Sequence, residues 1–266
     1  MSRYYDEVSS KVDPWRNDGW ENPFIQLYRF CAVLRSLRIG ADASILDLGC
    51  GTGAFLEVLG DSFAGTYLGV DRRTLTRHQS PNERVQFLEA DIYSLGSLPG
   101  DPCFEYCLGI GSLVDGHNLT EVERLQRLRS HLSVLHERSS RGGALFVLDL
   151  SCFESNCFRG LETALVGARK GELERMIEDL GPKHWSLDGE ILPEEFLLVF
   201  TKEEKLNRLH SEELIEEVLS LRDWDPLTLA RAFLRLNRRE QALQNLQKAP
   251  WSRERELLKE RLQLLV

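Results

Sequence analysis

The side chains of this sequence best placed to do chemistry together are an acid, a set of alternating glycines, and a second acid further on. The first group is Asp47-Leu48-Gly49-Cys50-Gly51-Thr52-Gly53. It follows the apolar run Ile45-Leu46 and passes into Phe55, Leu56 and Leu59 at helical spacing, which reads as strand, tight turn, helix. Glycine serves where the chain reverses sharply and where no Cβ can stand between the backbone and a ligand lying on it. The charge nearby says what kind of ligand. A pyrophosphate wants backbone N–H groups and no adjacent anion, yet Asp47 stands two residues before the first glycine. A carboxylate there favours a ligand bearing an ammonium or sulfonium group. Tyr67-Leu68-Gly69-Val70-Asp71 is a further short strand closing on an acid, about 20 residues past the glycines, where a ribose-binding carboxylate belongs. A nucleoside with a cationic tail satisfies both acids. The glycine turn taken alone leaves another reading open, a nucleotide site of some other doubly wound protein.

Asp47 to Gly53 resembles the first motif of class I S-adenosylmethionine-dependent methyltransferases. Asp71 resembles the acid ending their second strand, and Glu89-Ala90-Asp91-Ile92 their adenine-side motif. The likeness spans roughly residues 1–203 and is strongest at the first motif. It implies S-adenosyl-L-methionine as cofactor, with contacts from Asp47, Gly49, Cys50, Gly51, Gly53, Asp71, Asp91, Ile92 and Gly109. Arg72 is grouped with them by position, although Arg72 and Arg73 read as the solvent-facing start of a helix, which leaves Asp71 for the ribose. In proteins of this kind the region ahead of the first motif folds over cofactor or substrate, so Tyr5 and Arg16 are carried as further contacts; an arm packed on the domain surface is the alternative.

The resemblance implies in-line methyl transfer to oxygen, nitrogen or carbon and leaves the acceptor open. Methyltransferases acting on exocyclic or amide nitrogens carry Asn/Asp-Pro-Pro-aromatic after the fourth strand; here Gly109-Ile110-Gly111-Ser112 stands there, which disfavours that class. A general base helps only if the acceptor is still protonated when attacked. His117, just past the fourth strand, is the first candidate and Asp115 the second. His131 and His136 do not match the His-Glu-x-x-His spacing, so no metal site is expected. A small-molecule acceptor is the first reading. A protein acceptor docked by the C-terminal helices, and a non-catalytic cofactor-binding interaction module, stand beside it, with a dehydrogenase as outsider.

The elements that must hold these residues follow from the apolar periods. Asn22-Pro23 starts a helix with Phe24, Leu27, Tyr28, Cys31 and Leu34 on one face, ended by Gly40. Residues 66–70 and 85–88 read as buried strands, and residues 104–111 as the fourth. A helix over 120–137 should turn Val122, Leu125, Leu128, Leu132 and Leu135 inward, and Arg141-Gly142-Gly143 should then turn the chain into a fifth strand over 144–150. Residues 151–171 lose the apolar period and read as a lid insertion. A helix over 172–180 and strands over 183–191 and 195–201 complete the pattern. The expected fold is α/β: a seven-stranded, mostly parallel doubly wound sheet with an antiparallel closing strand over 1–203, its first 40 residues an arm and helix, plus an all-helical extension over 204–266.

That extension should form helices over 211–221, 226–236, 239–248 and 252–265. Leu229-Ala230-Arg231-Ala232-Phe233 with Ala242, Leu246 and Ala249 resembles one tetratricopeptide unit. A single unit cannot bury its own apolar face, so it should pack on the catalytic domain, on a second copy of the chain, or on a protein partner. Composition bounds the rest. A net charge of -9 disfavours broad nucleic-acid binding, which is driven by Lys and Arg on phosphates. The six cysteines show no CxxC pair and read as reduced thiols, no apolar run reaches the length of a membrane span, and the N-terminus lacks a signal-peptide core, which together predict a cytoplasmic protein.

Overall fold

The computed structural model describes residues 22–72, 83–92, 103–112, 119–153, 166–202, 205–207 and 209–264. They form two compact units. One takes Val33–Gly189 and Glu194–Arg208; the other takes the described residues of Met1–Ala32 and Leu209–Val266 together with Glu190–Pro193. Helix α1 (Pro23–Leu37) starts as its sequence predicts: the Asn22 Oδ1 accepts from the Phe24 and Ile25 N–H groups at 2.9 and 3.2 Å, and proline fills the first helical position. It ends earlier than expected. Arg38, at φ 52°, takes the left-handed conformation that closes the helix, and the Ile39 N–H reaches back to the Leu34 carbonyl (3.2 Å), so Gly40 is not the terminator.

The larger unit is built on a mixed sheet. Its strands are β1 (Ser44–Leu48), β2 (Thr66–Asp71), β3 (Val85–Glu89), β4 (Phe104–Gly109), β5 (Ser139–Asp149), β6 (Gly167–Ala168), β7 (His184–Leu192) and β8 (Glu195–Thr201). The last residues of β7, from Glu190, belong to the smaller unit. The order is β3-β2-β1-β4-β5-β8-β7, with β6 paired to β5. Strands β1 to β6 pair in parallel and β8 runs antiparallel to β5. Chain order reverses between β1 and β4, which is where open α/β sheets leave a crevice at the carboxyl ends of their strands.

Three strand expectations need correction. The eighth strand, β6, lies inside the stretch read as insertion; two residues are too short to leave a period in the sequence. Strand β3 is only half-buried, because it is the edge of the sheet with β2 as its neighbour. Gly142 and Gly143 make no turn. They lie within β5, which starts directly after the preceding helix, and they are glycines because a Cβ would stand 2.4 Å from the Phe200 carbonyl oxygen at the first and 2.6 Å from that of Cys107 at the second.

Helices α2 (Ala54–Leu59), α3 (Glu121–Arg138) and α4 (Lys170–Leu180) complete this unit. Thr120 and Glu123 form a reciprocal cap on α3 and so set its phase. Leu128, Leu132 and Leu135 turn inward as predicted, each burial contributing about 1.5–3 kcal/mol. Val122 does not: it is 74% exposed, and Arg124 and His131 occupy the inner face instead. Arg124 is held there by the Gly167 carbonyl and by Glu172 at 3.6 Å, which ties α3 to β6 and the start of α4.

In the smaller unit, α5 (Ser211–Ser220), α6 (Pro226–Arg235), α7 (Arg239–Lys248) and α8 (Arg253–Leu264) stand within a residue or so of their predicted bounds. Asp225 caps α6 through the Leu227 and Thr228 N–H groups at 3.1 and 2.9 Å. The start of α1 packs with these helices: the Phe24 ring lies 5.1 Å from Trp224 and 5.9 Å from Phe233, and the Asn22 amide donates to the Thr228 carbonyl at 3.0 Å. Among the described residues no helix is long and apolar enough to cross a membrane.

Candidate functional site

The glycine turn after β1 adopts the conformation its sequence demands. Gly49, Gly51 and Gly53 have φ of 74°, 54° and 81°, in the left-handed region that L side chains rarely enter. The Gly49 and Cys50 N–H groups both donate to the Val70 carbonyl, at 2.7 and 3.2 Å, so the turn folds back over the end of β2. Cys50 is buried with its sulfur over Gly69, where a Cβ would come within 2.8 Å of it. Helix α2 follows with only six residues, too short to present a strong N-terminal dipole to an anion.

Two carboxylates meet this turn. Asp71, half-buried at the end of β2, accepts from the Gly51 N–H through Oδ2 at 3.1 Å. Asp47 is 3% exposed and accepts from the Tyr67 hydroxyl through Oδ2 at 2.7 Å. Register places Asp47 beside Gly69, so both acids belong to the carboxyl ends of adjacent strands. Their settings differ. Asp71 lies on the backbone of the loop itself, whereas Asp47 is enclosed at the end of β1 and bonded to the Tyr67 hydroxyl. Asp91 and Arg72 are exposed, and Ile92 is 6% exposed within the core.

Past β4 the chain crosses directly against the turn. A Cβ on Gly49 would stand 2.7 Å from both Cα and Cβ of Ser112. Gly109 is buried and is a glycine for a related reason, since a Cβ there would meet His131 Nε2 at 2.6 Å and Ser112 Oγ at 2.9 Å. Those two atoms are themselves hydrogen-bonded at 3.0 Å. His131 is 1% exposed, and burial pushes its pKa down to about 4, so the ring is neutral at pH 7. Neither Ser112 nor His131 was singled out as functional by sequence reasoning. The signals were present: a glycine inside a strand, and a histidine three residues past Leu128 and four before Leu135, on the inward face of α3.

One more acid marks the same edge. Asp149 ends β5, accepting through Oδ1 from the Ser151 N–H and hydroxyl at 2.9 and 2.6 Å and through Oδ2 from the Cys152 thiol at 3.6 Å. Burial, with Asp149 beside it, raises the Cys152 pKa, so the thiol stays protonated. Tyr5, Arg16, Asp115 and His117 lie outside the described residues, as does 154–165 of the expected insertion. Among the described residues no cluster of His, Cys, Asp and Glu could hold a metal ion.

Solved structures share this architecture. The magnesium protoporphyrin IX methyltransferase (ChlM) from Synechocystis PCC 6803 with bound SAH superposes at a TM-score of 0.52, with 13% identity over 76% of this chain and 94% of that one. The PH0226 protein from Pyrococcus horikoshii OT3 superposes at 0.55, with 15% identity over 76% of this chain and all of the other (100%). What they share with this chain is a mostly parallel α/β sheet closed by an antiparallel strand. At these identities the likeness is one of fold, and it matches the parallel sheet with an antiparallel closing strand. No family model matches the sequence, and no curated protein does.

Proposed function

We propose that this protein is an S-adenosylmethionine-dependent methyltransferase acting on a small-molecule acceptor. The observation that carries the reading is Asp71 Oδ2 on the Gly51 N–H, at the turn whose three glycines leave the backbone bare. Such a surface fits a cationic nucleoside: Asp71 would take the ribose hydroxyls, Asp47 would add negative potential nearby, and the short α2 offers little to a diphosphate. The neighbour from Synechocystis, described with bound SAH, supports the same choice of ligand. When bound, S-adenosylmethionine supplies a methyl group activated by its sulfonium centre. The chain's own task is to hold the acceptor close and aligned and to keep water out. Gly49, Gly51 and Gly53 give the ligand main chain to lie on; Cys50, Arg72, Asp91, Ile92 and Gly109 complete the proposed surroundings by position, with Tyr5 and Arg16 from the N-terminal segment. Asp115 and His117 keep their candidacy as proton acceptors, and Asp149 is the described carboxylate at the neighbouring end of β5.

Thermal melting with S-adenosylmethionine, SAH and NAD tests this. Ligand at about a hundred times its Kd should stabilise the native chain by about 2.7 kcal/mol. The expected result is stabilisation by the first two only, with SAH affinity falling at least about tenfold in Asp71→Ala, given the roughly 1.5–3 kcal/mol carried by hydrogen bonds to a charged group. Stabilisation by NAD alone would defeat the proposal.

A second reading, in which the acceptor is a protein held by the C-terminal helices, is favoured by one observation. The large apolar residues left exposed among the described residues concentrate there: Leu219, Leu221, Leu243, Trp251 and Leu257, with Val122 the exception elsewhere. Turnover of protein but not of metabolite libraries, abolished by Trp251→Ser, would select it. The tetratricopeptide likeness and pairing of two chains through 204–266 belong to this reading.

A further inference from the structure

We infer that His131 is a positioning residue of the ligand crevice, acting through Ser112 to hold the exit of β4 against the glycine turn. The inference rests on the proposed function and names a support of the same site. Its parts come from three places in the chain. Gly49 begins the turn after β1, Ser112 lies just past β4, and His131 comes from the inward face of α3. Ring and hydroxyl share the notch that Gly109 leaves by lacking a side chain, since a Cβ there would approach them to 2.6 and 2.9 Å. With its hydroxyl bonded into that notch at 3.0 Å, Ser112 has its own Cα and Cβ against Gly49, where no side chain could be inserted. The hydrogen bond therefore sets the separation between the two walls that meet where strand order reverses, between β1 and β4. A ligand lying on the glycine backbone must fit between those walls.

The chemistry of the ring suits this location. Burial keeps it neutral, so it places no positive charge behind a crevice meant for a cationic ligand. A lysine or arginine could hold the same hydroxyl but would repel a sulfonium group. A leucine would fill the space without holding Ser112.

The test is calorimetric titration of the full chain with SAH. Variants are Ser112→Ala, His131→Leu, the two combined, and His131→Gln, whose amide reaches about as far as Nε2. Each of the first two should weaken SAH binding about tenfold, the scale of one lost buried hydrogen bond. The double variant should bind no more weakly than either single one, since both remove the same contact. His131→Gln should recover most of the affinity. That combination of coupling and rescue, read in ligand affinity, is not what general destabilisation produces. If His131→Leu does not fold, His131→Asn, polar but too short to reach Ser112, takes its place. Losses that multiply in the double variant, or affinities within about twofold of the wild type in every variant, overturn the inference alone. Absence of any heat with the wild-type chain overturns the reading of the crevice as well.

Discussion

Replacing Gly49 by alanine separates two costs that the glycine turn avoids. The first is backbone strain: φ is 74°, and an L residue in the left-handed region costs about 1–2 kcal/mol. The second is overlap. The new Cβ would stand 2.7 Å from Cα and Cβ of Ser112, against the 3.5–4.0 Å of an ordinary carbon contact. A flexible side chain could swing away, but here the neighbour is backbone, and the hydroxyl of that residue is tied to the buried His131. Forcing a methyl group into such a site costs about 1–3 kcal/mol more. The structure supplies its own control in Gly181, the left-handed cap of α4, with φ 68° and nothing within 4 Å of an added Cβ. Gly181→Ala should lose only the strain, about 1–2 kcal/mol, while Gly49→Ala should lose about 2–5 kcal/mol. Urea unfolding with unchanged slopes reads the difference directly. SAH titration adds the functional side, with affinity lost in the first variant and kept in the second. Equal destabilisation of the two variants would refute the close approach of Ser112.

Two further outcomes follow from buried polar groups. Tyr67→Phe removes the hydroxyl that donates to the enclosed Asp47 and should destabilise the chain by about 1–3 kcal/mol in urea; a variant as stable as the wild type would contradict the burial of that pair. His131 gives a pH dependence: its folded pKa of about 4 lies below the 6.5 of an ordinary histidine, so the unfolded chain binds the proton more readily in that window. Stability from this group is full above pH 6.5 and is lost as pH falls toward 4, with a slope of at most about 1.4 kcal/mol per pH unit. His131→Gln should flatten that slope relative to wild type, and parallel curves would exclude His131 as its source.

By itself the sequence determined what depends on local periods and on residues with restricted backbones. Alternating glycines after an apolar run closing on Asp47 point to a strand and a tight turn, and the turn is there, with positive φ at all three positions. Caps such as Asn22 and Asp225, with proline beside each, fixed helix starts to the residue, and the apolar periods of β1, β2 and β4 placed the sheet. Long-range packing decided the rest. Gly142 and Gly143 look like a turn in isolation and become strand because they pair with β4 and β8, whose backbones leave no room for a Cβ. Phe24 reads simply as a core position, and only its contacts with Trp224 and Phe233 assign the start of α1 to the C-terminal helices. The pairing of Ser112 with His131 joins residues from a strand exit and a helix interior, and no local pattern encodes which polar atoms will be buried face to face. What a peptide can do alone is written in its neighbours along the chain; what two buried groups do to each other is set by a distance that exists only once the sheet has closed around them.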